Sequence, residues 1–130
     1  MIKISPEHPV AYFCAEYGLD HRLPTYAGGL GILAGDTVKA AADQQLPMIA
    51  IGLLYRGVGA AQHISPQGLQ TETDVHFDPL SVGLEHVYLD ENPLFIKTHL
   101  TQVDVWSRVW KKKIGDTVEI YLLDTETDQN

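Results

Sequence analysis

A glycine-rich segment, Tyr26-Ala27-Gly28-Gly29-Leu30-Gly31-Ile32-Leu33-Ala34-Gly35-Asp36, lies between two short apolar runs. The runs are Val10-Ala11-Tyr12-Phe13-Cys14-Ala15 before it and Met48-Ile49-Ala50-Ile51-Gly52-Leu53-Leu54-Tyr55 after it. Continuous apolar runs rich in Val, Ile, Tyr and Phe are typical of strands buried on both faces. We therefore predict one such strand on each side of the glycines.

The residues after the glycines have the spacing of an amphipathic helix. Apolar side chains recur every three or four positions and would share one face: Leu30, Leu33, Ala34, Val38 and Ala41. Asp36, Lys39 and Asp43 fall on the opposite face. The pattern predicts a helix that runs to about Gln45 and ends before Pro47. Strand, glycine turn, helix and strand form a βαβ unit, so we predict an α/β fold with a parallel core over about 10–56.

The glycine turn is also the main candidate binding site. Glycines let a ligand approach the backbone closely, and a helix start offers free N–H groups to an anion, so Gly28, Gly29, Leu30 and Gly31 are candidate phosphate or substrate contacts. The spacing is not that of the dinucleotide-binding fingerprint, which requires G-x-G-x-x-G. A tight strand-to-helix turn that binds nothing is therefore an equally good interpretation.

Two charged residues follow the predicted strands, at the edge where open α/β sheets bind ligands. Glu16 follows the first strand, and Arg56 follows the second. Arg56 could meet a phosphate or carboxylate with both arms of its guanidinium group, or it could be a surface charge. Glu16 could contact a ligand, or it could be a solvated acid or a helix-cap partner. No catalytic residue is predicted.

Composition excludes several classes of function. Seventeen acidic residues against nine Lys and Arg give a net charge of −8, which argues against nonspecific nucleic-acid or anionic-membrane binding. No apolar run approaches the roughly 18 residues of a membrane span. The single cysteine, Cys14, is predicted to be a small core residue, and we expect a reducing, cytoplasmic location. The six histidines lack zinc-site spacing, so no metal site is predicted.

The second half of the chain predicts an antiparallel β extension over about 84–124. Leu84 to Leu89, a turn at 90–93 and Leu94 to Leu100 have the pattern of a hairpin, and two half-buried strands follow near 103–110 and 118–123. Trp106 and Trp110 would share a face, where cross-strand packing is favoured over a carbohydrate platform. Lys111-Lys112-Lys113 is interpreted as a solvated edge that discourages further strand pairing.

Three segments resemble the start of the α-glucan (glycogen/maltodextrin) phosphorylases. They are Val10-Ala11-Tyr12-Phe13-Cys14-Ala15-Glu16-Tyr17-Gly18-Leu19, the stretch from Leu23 to Asp36, and Gly52-Leu53-Leu54-Tyr55-Arg56. The resemblance is strong from Val10 to Gln62, weak at 68–70, and returns at 121–125. Starch and glycogen synthases share G-G-L-G but carry a Lys two residues before the first Gly, where this chain has Tyr26. The phosphorylase branch is therefore favoured.

The resemblance implies a partial Rossmann-like fold, the amino-terminal lobe of a glycosyltransferase-B (GT-B) enzyme, in one incomplete domain over 1–130. It implies glucosyl transfer from an α-1,4-glucan to phosphate, with Gly28–Gly31 facing the sugar phosphate and Glu16 nearby. It places the pyridoxal phosphate-bearing Lys in a second lobe, so we expect no cofactor binding and no activity from this chain alone. The family's Tyr-Phe pair and Gly-Trp-Gln are replaced here by Val58-Gly59-Ala60-Ala61-Gln62 and Gly68-Leu69-Gln70. These losses put sugar contacts from this loop in doubt.

Two functions from different classes follow. The chain is either the amino-terminal part of a glucan phosphorylase, or a stand-alone, non-catalytic module that binds a small anion or a protein. One helix cannot cover both faces of a parallel sheet, so at least one face or edge should be bare. We therefore expect a homodimer or a missing second lobe as the partner, with sugar phosphate or α-glucan as the possible ligand.

Overall fold

The computed structural model describes residues 3–56, 60–74 and 77–130. It contains one α-helix, α1 (Gly29–Asp43), and a 3₁₀ turn at Pro79–Val82. The strands are β1 (Val10–Phe13), β2 (Met48–Leu53), β3 (Ala60–Ile64), β4 (Gln70–Asp74), β5 (Glu85–His86), β6 (Tyr88–Leu89), β7 (Asn92–Pro93), β8 (Phe95–Leu100), β9 (Val103–Ile114) and β10 (Val118–Asp124). The predicted α/β class is therefore confirmed.

The main sheet joins both halves of the chain. Its strand order is β1-β2-β10-β9-β5, with β8 also paired to β9. β1 and β10 both lie parallel to β2, so that Val10 and Val118 flank Met48, while β9 is antiparallel to β10. The βαβ core is thus confirmed, but the β extension is not a separate layer, because β10 completes the parallel sheet at the side of β2. This pairing joins strands about seventy residues apart, which local patterning does not reveal.

Helix α1 covers one face of this sheet with small side chains. Its buried residues are Gly31, Ala34, Gly35, Val38 and Ala41. The predicted apolar face is therefore correct at Ala34, Val38 and Ala41 but wrong at Leu30 and Leu33, which are 57% and 65% exposed. The helix begins so close to the backbone at Gly18 that glycines, not leucines, fill the contact.

The core lies between α1, the sheet and the loop after β1. Tyr17, Leu23, Val38, Ile120 and Leu122 are among its most deeply buried side chains. The single hydroxyl hydrogen of Tyr17 is shared between the carbonyl oxygens of Tyr12 (2.8 Å) and Ile51 (3.2 Å), which ties the loop to β1 and β2. Cys14, expected in the core, is a half-buried free thiol that packs against the core cluster.

The opposite face of the sheet is open at its β1 edge, so the prediction of strands buried on both faces is wrong. Burial alternates along β1 and β2, and Phe13 and Leu53 are 69% and 39% exposed. Ile51 and Leu123 line a shallow apolar depression with them. We call these four residues the open face. This face is exposed because α1 covers only the other side of the sheet. The sequence predicts such a bare face, since one helix cannot cover both faces.

The predicted hairpin of residues 84–89 with 94–100 is correct near its turn, where the Leu94 N–H donates to the Val87 carbonyl (2.8 Å), but wrong in the pairing of its outer residues. β5 and β8 both pair with β9, while β6 and β7 form a separate two-residue hairpin. Its turn is Asp90-Glu91, whose φ angles of 48° and 68° are both left-handed, as a tight hairpin turn requires. The edge interpretation of the lysines is also wrong at Lys111, which lies between Glu85 of β5 and Tyr121 of β10.

A two-stranded ribbon, β3–β4, extends from the main sheet and was not predicted. β3 and β4 form an antiparallel hairpin that is separate from the six-stranded sheet. The turn Ser65–Gly68 closes this hairpin with a hydrogen bond from the Gly68 N–H to the Ser65 carbonyl (2.8 Å). Val58 and Gly59 of the altered loop lie outside the described residues. None of the helices in the described ranges combines the length and the apolar character that a membrane crossing requires.

Candidate functional site

The glycine turn lies where β1 and β2 end and presents a helix start to solvent. Gly28 is extended (φ −153°, ψ −162°) and its carbonyl accepts the first hydrogen bond of α1, from the Ile32 N–H (3.3 Å). Within the described part of the chain, no side chain caps this helix start. The first N–H groups of a helix have no partner inside it, so Gly29 and Leu30 offer donors to solvent or to a ligand.

The glycines of this segment are of two kinds. A β-carbon built on Gly28 or Gly29 would meet no atom within 4 Å. One built on Gly31 would lie 2.2 Å from the Tyr26 Cβ, and one on Gly35 would lie 2.2 Å from the Gly18 carbonyl oxygen. The first pair is therefore open to a ligand, whereas the second pair is required by packing of α1 against the loop after β1.

Glu16 is brought to this turn, as its position after the first strand suggested. Its Oε2 accepts a hydrogen bond from the Ala27 N–H at 3.3 Å and would lie 3.2 Å from a β-carbon on Gly31. The carboxylate places negative charge beside the helix start, which weakens attraction for an anion at the same N–H groups. The Glu16 carboxylate also supplies acceptors for hydroxyl groups. The helix start and Glu16 together therefore suit a polyhydroxyl ligand whose anionic group lies farther from Glu16.

A small cavity of about 160 Å³ lies beside the turn. It is lined by Glu16, Tyr26, Ala27 and Tyr55. The volume is well below the roughly 300–1,000 Å³ of pockets for drug-sized ligands, so it suits one small group. Two tyrosine rings and a carboxylate offer both apolar faces and hydrogen-bond acceptors to such a group.

Arg56 contacts two acids at the C-terminal end of β10. Its Nε is 3.1 Å from the Glu126 Oε2 and 3.6 Å from the Asp124 Oδ2. Both acids come from the C-terminal end of β10 and the residues after it. The structure therefore groups Glu16 with Gly28–Gly31 and places Arg56 in a neighbouring acidic environment at the same edge of the sheet.

Sequence reasoning missed two aromatic residues of the site region. Tyr55 directly precedes Arg56 at the end of the second strand. Ligands bind at the carboxyl ends of strands in open α/β sheets, so its position could have identified Tyr55 as a site residue. Tyr17 was assigned to a loop, yet burial raises the pKa of its hydroxyl to about 12, and its backbone carbonyl accepts a hydrogen bond from the Thr25 hydroxyl (2.6 Å). In the sequence, only the position of Tyr17 within the segment that resembles the phosphorylases could have marked it as part of the site region. Tyr17 holds the loop that carries Glu16.

Metal-ligating side chains and lysines do not gather at the glycine turn in the described ranges. Across the ranges 3–56, 60–74 and 77–130, no three His, Cys, Asp or Glu side chains come together in a way that could hold a metal ion. No lysine lines the cavity at the turn. Lys39 donates from its Nζ to the Gly18 carbonyl (3.2 Å), and Lys112 donates to the Val82 carbonyl.

Comparison with known proteins adds an independent observation. The chain is 41% identical over 125 residues to maltodextrin phosphorylase of Thermococcus litoralis, which is 95% of this chain and 15% of that protein. It is 39% identical to glycogen phosphorylase of Mycobacterium tuberculosis and 36% identical to that of Aquifex aeolicus, over 124 residues in each case. The chain is a relative of the α-glucan phosphorylases. This confirms the family resemblance drawn from the glycine segment and its neighbours.

The relationship covers most of this chain but little of the phosphorylases. The matches span 93–95% of the chain and 14–18% of these three relatives, in their amino-terminal portion. No protein-family model matches the chain. The similarity therefore supports a phosphorylase-like origin for the βαβ core and the β extension together.

Proposed function

We propose that this chain is part of the amino-terminal GT-B lobe of an α-glucan phosphorylase, as one incomplete domain over 1–130. The observation that carries the proposal is the open Gly28-Gly29 turn with Glu16 3.3 Å from the Ala27 N–H, in a chain 36–41% identical to phosphorylases. The parallel order of β1, β2 and β10, with α1 after the first strand, supports a Rossmann-like lobe. The reaction of the complete enzyme would transfer a glucosyl unit from an α-1,4-glucan to phosphate.

The chain's own residues would bind and orient the sugar phosphate. The N–H groups of Gly29, Leu30 and Gly31 donate to its oxygens, and the absence of a β-carbon at Gly28 and Gly29 allows that approach. Glu16 accepts a hydrogen bond from a sugar hydroxyl. Arg56 is the candidate phosphate contact, once its pairing with Glu126 and Asp124 is exchanged for the ligand.

Pyridoxal phosphate belongs to the complete enzyme in this proposal, where it would supply the phosphate group that assists proton transfer. The residues present here do not fit that cofactor. Lys39 and Lys112 donate to backbone carbonyls, Lys111 lies 3.9 Å from the Glu85 carboxylate, and no lysine lines the cavity at the turn. No catalytic step is therefore assigned to this chain, and a cytoplasmic location stays a prediction from Cys14.

Titration with glucose 1-phosphate tests the binding role. We expect the amide signals of Gly28, Gly29, Leu30 and Gly31 to move first, with a dissociation constant in the millimolar range or weaker because one lobe supplies only part of the contacts. Gly29→Ala should weaken binding, since its new methyl group occupies the open approach. Gln44→Ala, at the other end of α1, is the matched control and should bind normally. Signal changes confined to Lys111–Lys113 would contradict the proposal.

An activity assay tests the expectation for the isolated chain. With pyridoxal phosphate, glucan and phosphate, the 130-residue chain should release no glucose 1-phosphate above a blank without protein. Detectable turnover that depends on a lysine adduct trapped by borohydride would overturn this expectation.

A stand-alone binding module is the second candidate function. The observation in its favour is Leu69, which is exposed where the family has a tryptophan, together with the exposed Phe13 on the open face. Such a module would keep the glycine turn for a small anion and use the open face for a protein partner. Genomic sequence downstream distinguishes the two candidates, because an in-frame second lobe favours the enzyme.

A further inference from the structure

A second polar cluster lies at the carboxyl edge of the sheet, away from the glycines. Its centre is Asp124, which is 1% exposed. Asp124 Oδ2 accepts a hydrogen bond from Trp110 Nε1 (3.0 Å), and Oδ1 accepts one from the Glu126 N–H (3.0 Å). With Arg56 Nε 3.6 Å away, this carboxylate is well compensated. It therefore does not need a further cation.

Two more basic groups nevertheless adjoin Asp124 on the same face of the sheet. Arg108 is its cross-strand partner in β9, and His86 is the cross-strand partner of Trp110, against which its ring stacks at 3.9 Å. Side chains two apart on a strand share a face, so Arg108 and Trp110 are neighbours. We call Arg56, His86 and Arg108 the basic cluster.

Each member of the basic cluster has a buried nitrogen without a hydrogen-bond partner in the part of the chain that the structure describes. These atoms are Arg56 Nη1, His86 Nδ1 and Arg108 Nε. Arg108 also forms no ion pair with a described acid, and its Cζ packs 5.3 Å from the Phe95 ring. Arg56 Nη1 and Arg108 Nε are donors, and His86 Nδ1 is a donor in one neutral tautomer and in the protonated ring. Buried donors are almost always paired in native structures, so these atoms together indicate room for an acceptor that the described residues do not supply.

The titration of His86 would report an anion bound at Arg108. Burial lowers the pKa of His86, and the positive charge of Arg108 lowers it further, while Asp124 acts in the opposite direction. An anion near Arg108 would reverse part of this effect. Arg56 and Arg108 are half-buried residues, and the Arg56 side chain is 29% exposed, so a small ion could approach the cluster from the side of Arg56.

We propose that the basic cluster binds an oxyanion, either a phosphate or a carboxylate. Arg108 can donate two parallel N–H hydrogen bonds to the anion from the fork of its guanidinium group. His86 donates from Nδ1, and Arg56 donates from Nη1. The site shares Arg56 with the phosphate contact proposed above, but Arg108 and His86 lie on β9 and β5, apart from the glycine turn. Its test follows His86 and Trp110, whereas the test of the proposed function follows the glycine amides, so either proposal can fail without the other.

Histidine NMR on the 130-residue chain tests the site. The imidazole signals of His86 and the indole N–H of Trp110 are followed while sodium phosphate replaces sodium chloride at constant ionic strength. We expect both to move with saturation at or below about 100 mM phosphate, and the pKa of His86 to rise toward its ordinary range. A parallel titration with acetate shows whether a carboxylate is the better ligand. His63, on the β3–β4 ribbon, should not respond.

Two variants separate a specific site from general screening of charge. Arg108→Gln should weaken binding at least tenfold, whereas Arg22→Gln removes the same charge from an exposed pair with Asp20 and should change nothing. Arg108→Lys keeps the charge but loses the fork, so it should bind more weakly than the unmodified chain. If Arg108→Gln does not fold, the test compares anion binding by the unmodified chain with anion binding by Arg108→Lys. Signals of His86 that ignore both anions, or that respond equally in Arg108→Gln and the unmodified chain, would overturn the proposal.

Discussion

A β-carbon built on Gly35 lies 2.2 Å from the Gly18 carbonyl oxygen, whereas one built on Gly29 has no atom within 4 Å. Gly35→Ala should therefore force α1 away from the loop after β1 and destabilise the fold by roughly 1–3 kcal/mol. Gly29→Ala should be neutral or stabilise by up to about 1 kcal/mol, because it restricts the unfolded chain. Urea unfolding of the two variants measures the difference. Equal stability of both would show that the close approach at Gly35 is not present in solution.

The Tyr17 hydroxyl donates to two strand carbonyls, so Tyr17→Phe should lose roughly 1–2 kcal/mol of stability at neutral pH. Tyr121→Phe is the matched control, since its hydroxyl donates only to the side chain of Glu119 near the surface (2.7 Å) and a smaller loss is expected. Chemical denaturation at pH 7 compares them. A loss for Tyr121→Phe as large as that for Tyr17→Phe would contradict the anchoring role of Tyr17.

The pKa of Tyr17 is raised to about 12 by burial, and that of Tyr121 is raised to about 12 mainly by its hydrogen bond to Glu119. The folded state thus holds these protons more tightly than the unfolded state, in which tyrosine titrates near pH 10. Their stabilising effect is complete below about pH 10 and is lost as pH rises to about 12. Unfolding free energies measured over this range should fall, and Tyr17→Phe should reduce the slope. A flat profile in the unmodified chain would contradict the prediction.

Single residues also show how far sequence reasoning could reach at the site. Glu16 and Gly28–Gly31 were selected by their positions after a strand and before a helix, and the structure places them together. The partners of Arg56 could not be foreseen, because Asp124 and Glu126 reach it only through the pairing of β10 with β2. The separate roles of Gly29 and Gly35 likewise depend on the distance to Gly18. Whether any of these residues binds a ligand stays a prediction.

At the scale of elements, local patterns predicted β1, α1 and β2 closely, because each is specified by its own run of residues. The same patterns predicted strands where β5, β6 and β8 lie, but they gave β5 and β8 the wrong partner. Strands of alternating residues between 84 and 100 have several possible partners. β5 and β8 both pair with the long β9 instead of with each other. Leu30 and Leu33 fit a helix period but lie exposed, since glycines fill the closest contact of α1.

The elements should also differ in local stability. β2 and β10 lie inside the six-stranded sheet, while β3 and β4 pair only with each other and leave His63 and Thr71 exposed. Amides of the β3–β4 ribbon should exchange with solvent at least about a hundredfold faster than those of Ala50 and Ile120. Native-state hydrogen exchange measures this. Equal protection would show that the ribbon packs against another surface in solution.

For the whole molecule, the open face is the feature that most needs a partner. Phe13 and Leu53 are exposed beside the unpaired edge of β1, and the described ribbon β3–β4 does not cover them. Exposed apolar surface next to a strand edge favours association, and a second copy of this chain can cover it. We therefore expect a homodimer with the open face inside its interface.

Light scattering at micromolar concentration measures the outcome. The unmodified chain should show a mass near twice the 14.4 kDa of one chain, and the mass should fall on dilution. Phe13→Ser should shift the equilibrium to the monomer, because it removes the largest apolar contact of the open face. Ile64→Ser, on the equally exposed ribbon β3–β4, removes a similar apolar group elsewhere and should leave the dimer intact. A mass of one chain at every concentration would argue against self-association. Equal dissociation by both variants would place the interface outside the open face, because only Phe13 belongs to it.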